Sequence, residues 1–178
     1  MPAGMRATLD GLSAPDADSL LWVHPKPPAE EAGNREIVIN GEDIGHEAAK
    51  CDAFACHEFP WRAVQVAIEH FEKQGYSTQT VVSIKTVVKW PPPKDISRRL
   101  VECPVIDPKQ GVPSACTSDR IFAVRIAETY GCQFVDNFNY RPISWGTHPS
   151  WPWLQEKGLR LRVPYMFDKS GHFTPLLR

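Results

Sequence analysis

Three consecutive β-branched residues, Ile37-Val-Ile39, follow a polar run and stop at Asn40-Gly41. A short unbroken apolar run closed by an Asn-Gly pair predicts a strand buried on both faces, as in the middle of a parallel sheet, ending in a turn. The mixed polarity from His46 to Pro60 predicts a loop. Apolar residues then recur at helical spacing (Val64, Ala67, Ile68, Phe71) and predict a helix over Trp61 to Gln74, stopped by Gly75. Glu69 and Lys73, four positions apart, fall on its wet side. Thr80-Val-Val-Ser-Ile84 predicts a second strand. Strand, helix and strand within about 50 residues make a βαβ unit, whose strands pair in parallel through a right-handed crossover.

Further along, Leu100 to Ile106 predicts a third strand, which Pro104 confines to an edge. A second helix is expected from Asp119 to Tyr130, capped by Ser118 and ended by Gly131. Its apolar residues Ile121, Phe122, Ala123, Val124, Ile126 and Ala127 cover most of its girth, so deep burial is expected. Gln133-Phe-Val135 predicts a short strand opening into the polar stretch Asp136 to Arg141. Trp145 to Trp153 reads as an irregular aromatic cover for the sheet edge. Leu159 to Val163 alternates like a half-exposed strand, which Tyr165 to Phe167 extends. Alternating strands and helices of this kind build an α/β three-layer sandwich with a mainly parallel central sheet. Residues 1–34, dominated by Gly, Ala, Pro and Asp, read as a flexible leader before one domain over 35–178. Within the leader, Leu20-Leu-Trp-Val23 is expected to dock on the domain as a short strand.

A chain of 178 residues with 42% hydrophobic side chains can build a proper core. Its formal charge of -1 advertises no nucleic-acid partner globally, so any basic surface must be local. No window approaches the roughly 20 apolar residues needed to cross a bilayer, so no membrane association is expected. Five cysteines, an odd number without close spacing, argue for reduced thiols inside a cell, in the cytoplasm or also the nucleus. Cys103, Cys116 and Cys132 read as buried thiols. The spacing of His46, Cys51, Cys56 and His57 fits no common zinc finger.

Candidate chemistry lies at the strand exits and helix starts. Glu42 and Asp43, Asp119, and Asp136 converge on one rim if their strands are neighbours, and in parallel sheets ligands bind beyond that rim. Clustered carboxylates need a cation or a raised pKa to be tolerated, and oxygen ligands favour Mg²⁺ or Mn²⁺. Such an ion activates water against a phosphodiester. Taken singly, Asp119 is better read as a first-turn acid favoured by the helix dipole and Asp136 as an ordinary turn residue; it is their occurrence together, in order, that points to a site.

Four stretches, in order, resemble the NYN (PIN-like) ribonuclease domain of the Regnase type. Ile37-Val-Ile-Asn-Gly-Glu-Asp-Ile-Gly45 is similar to V-x-I-D-G-S-N-V-A. Phe54-Ala-Cys56 with the helix Val64 to Gly75 resembles F-S-C and A-x-x-x-F-x-x-x-G-H. Thr117-Ser-Asp-Arg120 resembles Y-D-D-R-F, and Val135 to Arg141 resembles V-S-N-D-x-Y-R-D; the tail to Pro175 is similar to the family's closing strand and F-x-P. The resemblance covers about residues 36 to 176. It implies a PIN-like/NYN fold and a site at Asn40, Asp43, Asp119 and Asp136, with Mg²⁺ or Mn²⁺ held by Asp43, Asp119 and Asp136 if the domain is active. The chain departs from the pattern at the acids. The family's first-strand Asp is Asn40, the first of its paired Asp is Ser118, and two later acids fall on Phe138 and Pro142; Asp119 alone is a direct match.

The resemblance therefore implies one of two things. The chain is a pseudonuclease that binds single-stranded RNA, mRNA or a related nuclease, as homo- or heterodimer, in mRNA decay or RNA silencing. Otherwise it is a metal-dependent endoribonuclease, a hydrolase, with a rearranged Asp43/Asp119/Asp136 centre. The loss of anionic ligands favours the first. For RNA contact, Lys85, Lys89, Lys94, Arg98 and Arg99 offer cations for phosphates, and Trp90 an aromatic for a base, in a proline-stiffened loop beside the acidic rim. Arg120 and Arg141 are available to brace the acids.

Overall fold

The computed structural model describes residues 35–106 and 117–176; the expected leader over 1–34, the docking of Leu20 to Val23, and Cys116 lie outside the described residues. Five strands, β1 (Arg35–Asn40), β2 (Tyr76–Ser83), β3 (Leu100–Cys103), β4 (Gln133–Val135) and β5 (Arg162–Val163), form a parallel sheet in the order β3-β2-β1-β4-β5. β1 sits at its centre, where Ile37 and Ile39 face one helical layer and Val38 the other. The first layer holds Val64, Ala67, Ile68 and Phe71 of α2 (Trp61–Lys73), after α1 (Gly41–Ala48). The second holds α5 (Ser118–Tyr130), which follows α3 (Ile84–Lys89) and α4 (Lys94–Ser97) and packs through Ala123, Val124 and Ala127. Both faces of β1 are dry, which is why its sequence does not alternate. The three-layer α/β sandwich and the βαβ unit are as the periodicity predicts.

The departures are local. Asn40-Gly41 starts helix α1 instead of a turn. Asn40 is its N-cap, accepting the Asp43 N–H, and Glu42 and Asp43 in its first turn suit the positive end of the helix. Gly41 is required there, because a Cβ would lie 2.6 Å from Val82 Cγ2. β2 begins at Tyr76, so Ile84 opens α3 behind the Ser83 cap instead of closing the strand. The basic stretch expected as a loop contains α3 and α4. α5 has Thr117 at its N-cap without a side-chain bond, and only one stripe of it (Asp119, Ala123, Val124, Ala127) is buried. One face against a sheet is all that a helix in an outer layer can bury. Gly131 closes it at φ 63°, in the left-handed region that glycine tolerates.

After α6 (Pro142–Trp145), the chain from Trp151 to Leu161 is helical throughout: α7 (Trp151–Trp153), a π-helical stretch Leu154–Gly158, and α8 (Leu159–Leu161). The alternation over Leu159 to Val163 therefore yields only the two-residue β5. β6 (Tyr165–Phe167) does not extend it but pairs antiparallel with β7 (Phe173–Pro175) in a separate ribbon. Trp145 is fully buried against Tyr140, and Trp153 lies 6.2 Å from Phe134, so these aromatics do cover the sheet.

Candidate active site

Because β1 and β4 are parallel neighbours with Ile39 opposite Val135, the next residues, Asn40 and Asp136, leave the sheet side by side. Asn40 Nδ2 donates to Asp136 Oδ2 at 2.8 Å and to Asp119 Oδ2, from the first turn of α5, at 3.1 Å. Asn40 Oδ1 turns the other way, accepting the Asp43 N–H at 3.2 Å. Asp43 Oδ2 in turn accepts the Asn137 N–H at 2.9 Å and the Tyr165 hydroxyl at 2.8 Å. The structure thus brings all four predicted site residues into one network. All are buried, Asn40 and Asp136 completely.

Asp136 is bound on both oxygens: the Phe138 N–H meets Oδ1, and the Tyr140 hydroxyl reaches Oδ2 at 3.1 Å. Burial first, then the charge of Asp43, pushes its carboxyl up to about 7. Burial also raises Asp43, against the hydrogen bonds from Asn137 and Tyr165. Arg120 favours the charged form of both acids, and its guanidinium lies 4.1 Å from the Phe138 ring centre. Burial holds the Tyr140 and Tyr165 phenols above their ordinary value, so they act as donors. Arg141 forks onto the Asn139 amide at 2.9 and 3.1 Å when that amide is oriented to accept.

Glu42 belongs to the same rim. It accepts the Ser83 N–H at 3.0 Å and a bond from Thr86, its carboxyl is raised by burial, and the charge of Asp119 adds to that rise. Sequence reasoning put Glu42 at the strand exit but left it out of the site, and it missed Tyr140 and Tyr165 altogether. The Asn-Tyr-Arg motif contains Tyr140 and was a usable signal; Tyr165 carried none.

The basic residues divide. Lys85, Lys89, Lys94 and Arg98 are exposed, on α3 or around α4. Trp90 is half-buried, stacked on Phe59 at 6.5 Å with Lys89 Nζ 4.0 Å over its own ring, and its carbonyl accepts from Trp61 Nε1 at 2.9 Å. Arg99 grips both carboxylate oxygens of Glu72 on α2, at 2.5 and 3.0 Å. Trp90 and Arg99 therefore also brace the loop against α2.

A cation shared by Asp43, Asp119 and Asp136 does not fit this arrangement. Among the described residues, no three His, Cys, Asp or Glu side chains are arranged to hold a metal ion. Between Asp119 and Asp136 lies the NH₂ of Asn40, and the oxygens of Asp136 are all engaged. Asp136 is fully buried, with each of its oxygens accepting at least one hydrogen bond. As it stands, the site holds the Asp136 carboxyl, raised by burial, beside an amide that donates to it and to Asp119.

Residues 33–175 match the family model described as the Zc3h12a-like Ribonuclease NYN domain. No curated protein gives a significant match. Solved structures are similar as well, among them the following two. One, of nuclear proteinaceous RNase P 2 (PRORP2) from A. thaliana, has 17% identity and a TM-score of 0.57, over 82% of this chain and 30% of that one. The other, of Arabidopsis thaliana nuclear protein-only RNase P 2, has 16% identity and a TM-score of 0.53, over 83% and 30%. The chain thus spans about 30% of the length of these structures, and at such identity the likeness is one of fold.

Proposed function

The chain belongs to the Zc3h12a-like ribonuclease NYN domain family, and from that premise we propose that it is a catalytically weakened or inactive member that binds RNA or a nuclease partner. The family makes it a nuclease-type protein of RNA metabolism. The observation that carries the finer reading is the pair of hydrogen bonds from Asn40 to Asp119 and Asp136, at the position where the Regnase-type motif has an Asp. Hydrolysis of a phosphodiester near neutral pH depends on a firmly held cation that lowers the pKa of water. A neutral amide among the acids, with Phe138 where a further acid is expected, opposes such binding.

The exposed cations Lys85, Lys89, Lys94 and Arg98 support single-stranded RNA or mRNA as the ligand. α3 starts beside Glu42 through Ser83 and Thr86, so RNA lying on it would pass the acidic rim. In this reading the domain works in mRNA turnover or RNA silencing, in the cytoplasm or also the nucleus. A homo- or heterodimeric nuclease partner supplies cleavage. Purified protein incubated with labelled single-stranded RNA and Mn²⁺ is expected to retard the RNA in a gel at moderate salt and leave it intact. Cleavage that disappears in Asp119→Asn overturns the inactive reading, and absence of any retardation overturns RNA binding.

A further inference from the structure

We propose that the Asn40 amide stands in the place of a divalent cation, and that this one side chain, more than the shortage of acids, keeps such ions out. The inference rests on the family reading above. Two carboxylates held this close, one just past the end of β4 and one in the first turn of α5, repel unless something positive lies between them. Here that something is a single NH₂ group with one hydrogen for each acid, 3.1 Å from Asp119 Oδ2 and 2.8 Å from Asp136 Oδ2.

The orientation of the amide is fixed by its other end. Oδ1 accepts the Asp43 N–H as the cap of α1, so exchanging oxygen and nitrogen would aim an oxygen at two carboxylates and an NH₂ at an N–H. An ion entering between the acids would have to expel the NH₂, break two charge-assisted bonds and uncap the helix. Both oxygens of Asp136 already accept, Oδ1 from the Phe138 N–H and Oδ2 from the Tyr140 hydroxyl as well as from Asn40, so an incoming ion would have to displace or crowd these donors. The wedge is sterically closed as well: Asn40 and Asp136 are 0% exposed and Asp119 8%.

In Asn40→Asp one carboxylate oxygen can keep the cap while the other faces Asp119 and Asp136. Three acids then point at one space, where a cation or a bound proton must relieve their repulsion, and the first is what Mn²⁺ supplies. Ser118→Asp also restores a negative charge at a position matched to the family's acids, but it leaves the amide in place. An account based on charge alone predicts that both substitutions gain metal; the wedge predicts that only the first does.

The experiment uses Mn²⁺ alone as the probe on the full chain, read by calorimetry and by electron paramagnetic resonance. Asn40→Asp is expected to bind one Mn²⁺ about 100-fold more tightly than the unsubstituted protein or more, and to lose that gain when Asp119→Asn is added. Ser118→Asp is expected to stay at the unsubstituted level. Equal gain in Ser118→Asp, or no gain in a folded Asn40→Asp, overturns the proposal. Should Asn40→Asp not fold, Asn40→Ala decides: Mn²⁺ raises its melting temperature if the amide was the obstacle, and leaves it unchanged if it was not. In the unsubstituted protein, the Asn40 side-chain NH₂ signals should be protected from exchange and unmoved by millimolar Mg²⁺; movement overturns the wedge. RNA retardation in EDTA is read on the same samples, so that loss of RNA binding counts against the functional reading and Mn²⁺ uptake against this one.

Discussion

The hydroxyl of Tyr165 lies 2.8 Å from Asp43 Oδ2, joining residues 122 positions apart. Through it, the two-stranded ribbon is fastened to the first helix of the site. Asn137 reinforces the join, exchanging bonds of 3.0 Å with the backbone of Tyr165 on both sides of its amide. Tyr165→Phe keeps the ring stacked on Phe173 and removes only the donor. A hydrogen bond to a charged acceptor contributes about 1.5–3 kcal/mol, so urea unfolding should show a loss in that range. It should also move the Asp43 carboxyl further upward, since that bond opposes its rise. An unchanged midpoint would mean the hydroxyl is not holding the acid.

Gly45→Ala tests a different contact. An alanine inside a helix normally gains about 1 kcal/mol over glycine. Here the added Cβ would fall 2.3 Å from the Phe59 ring, itself packed edge-on against Trp61 at 4.7 Å. Overpacking of this kind costs about 1–3 kcal/mol and should outweigh the helix preference. Adding Phe59→Leu should restore part of the loss, and a stabilised single variant would refute the close approach.

These two contacts also show where the sequence stopped being informative. β1, α2, β2, α5 and β4 each carry enough apolar residues at one period to be seen alone. α1 does not: Ile44 and Ala48 are its only buried apolar side chains, and an Asn-Gly pair that caps a helix looks like one that makes a turn. The acids of the site were legible because parallel strands put their exits on one rim. Tyr165 was not, because its partnership depends on a ribbon whose pairing no local pattern announces. Arg99 looked like a free cation for the same reason, since Glu72 is 27 residues away.

That division of the basic residues can be measured. Replacing Lys85, Lys89, Lys94 and Arg98 together with Ala should leave the melting temperature nearly unchanged and weaken RNA binding. Each phosphate that no longer meets a cation should reduce the salt slope by about 0.7 for a single strand. Arg99→Ala should behave oppositely, costing about 1 kcal/mol of stability through the broken Glu72 pair. RNA affinity that ignores the fourfold substitution removes this surface from consideration.

The last expectation concerns pH. Asp136 has an ordinary value of 3.8 when unfolded and is pushed up to about 7 by burial when folded. Between those values the native state therefore binds the proton more strongly than the unfolded chain, and its contribution to stability falls as pH rises. Asp43 and Glu42, also raised by burial, add the same sign. His70 and His148, lowered by burial, add the opposite sign, because the unfolded imidazoles hold protons the folded ones have shed. A raw stability curve mixes these contributions, so the comparison should be between the unsubstituted protein and Asp136→Asn, whose side chain does not titrate. The stability of the unsubstituted protein relative to that variant should fall steadily from pH 4.5 to pH 8 in urea unfolding. The carboxyl carbon signal of Asp136 should titrate near 7 in the same interval. A pH-independent difference, with a carboxyl signal that moves below pH 5, would show that this acid keeps its charge and that Asn40 and Arg120 hold it ionised throughout.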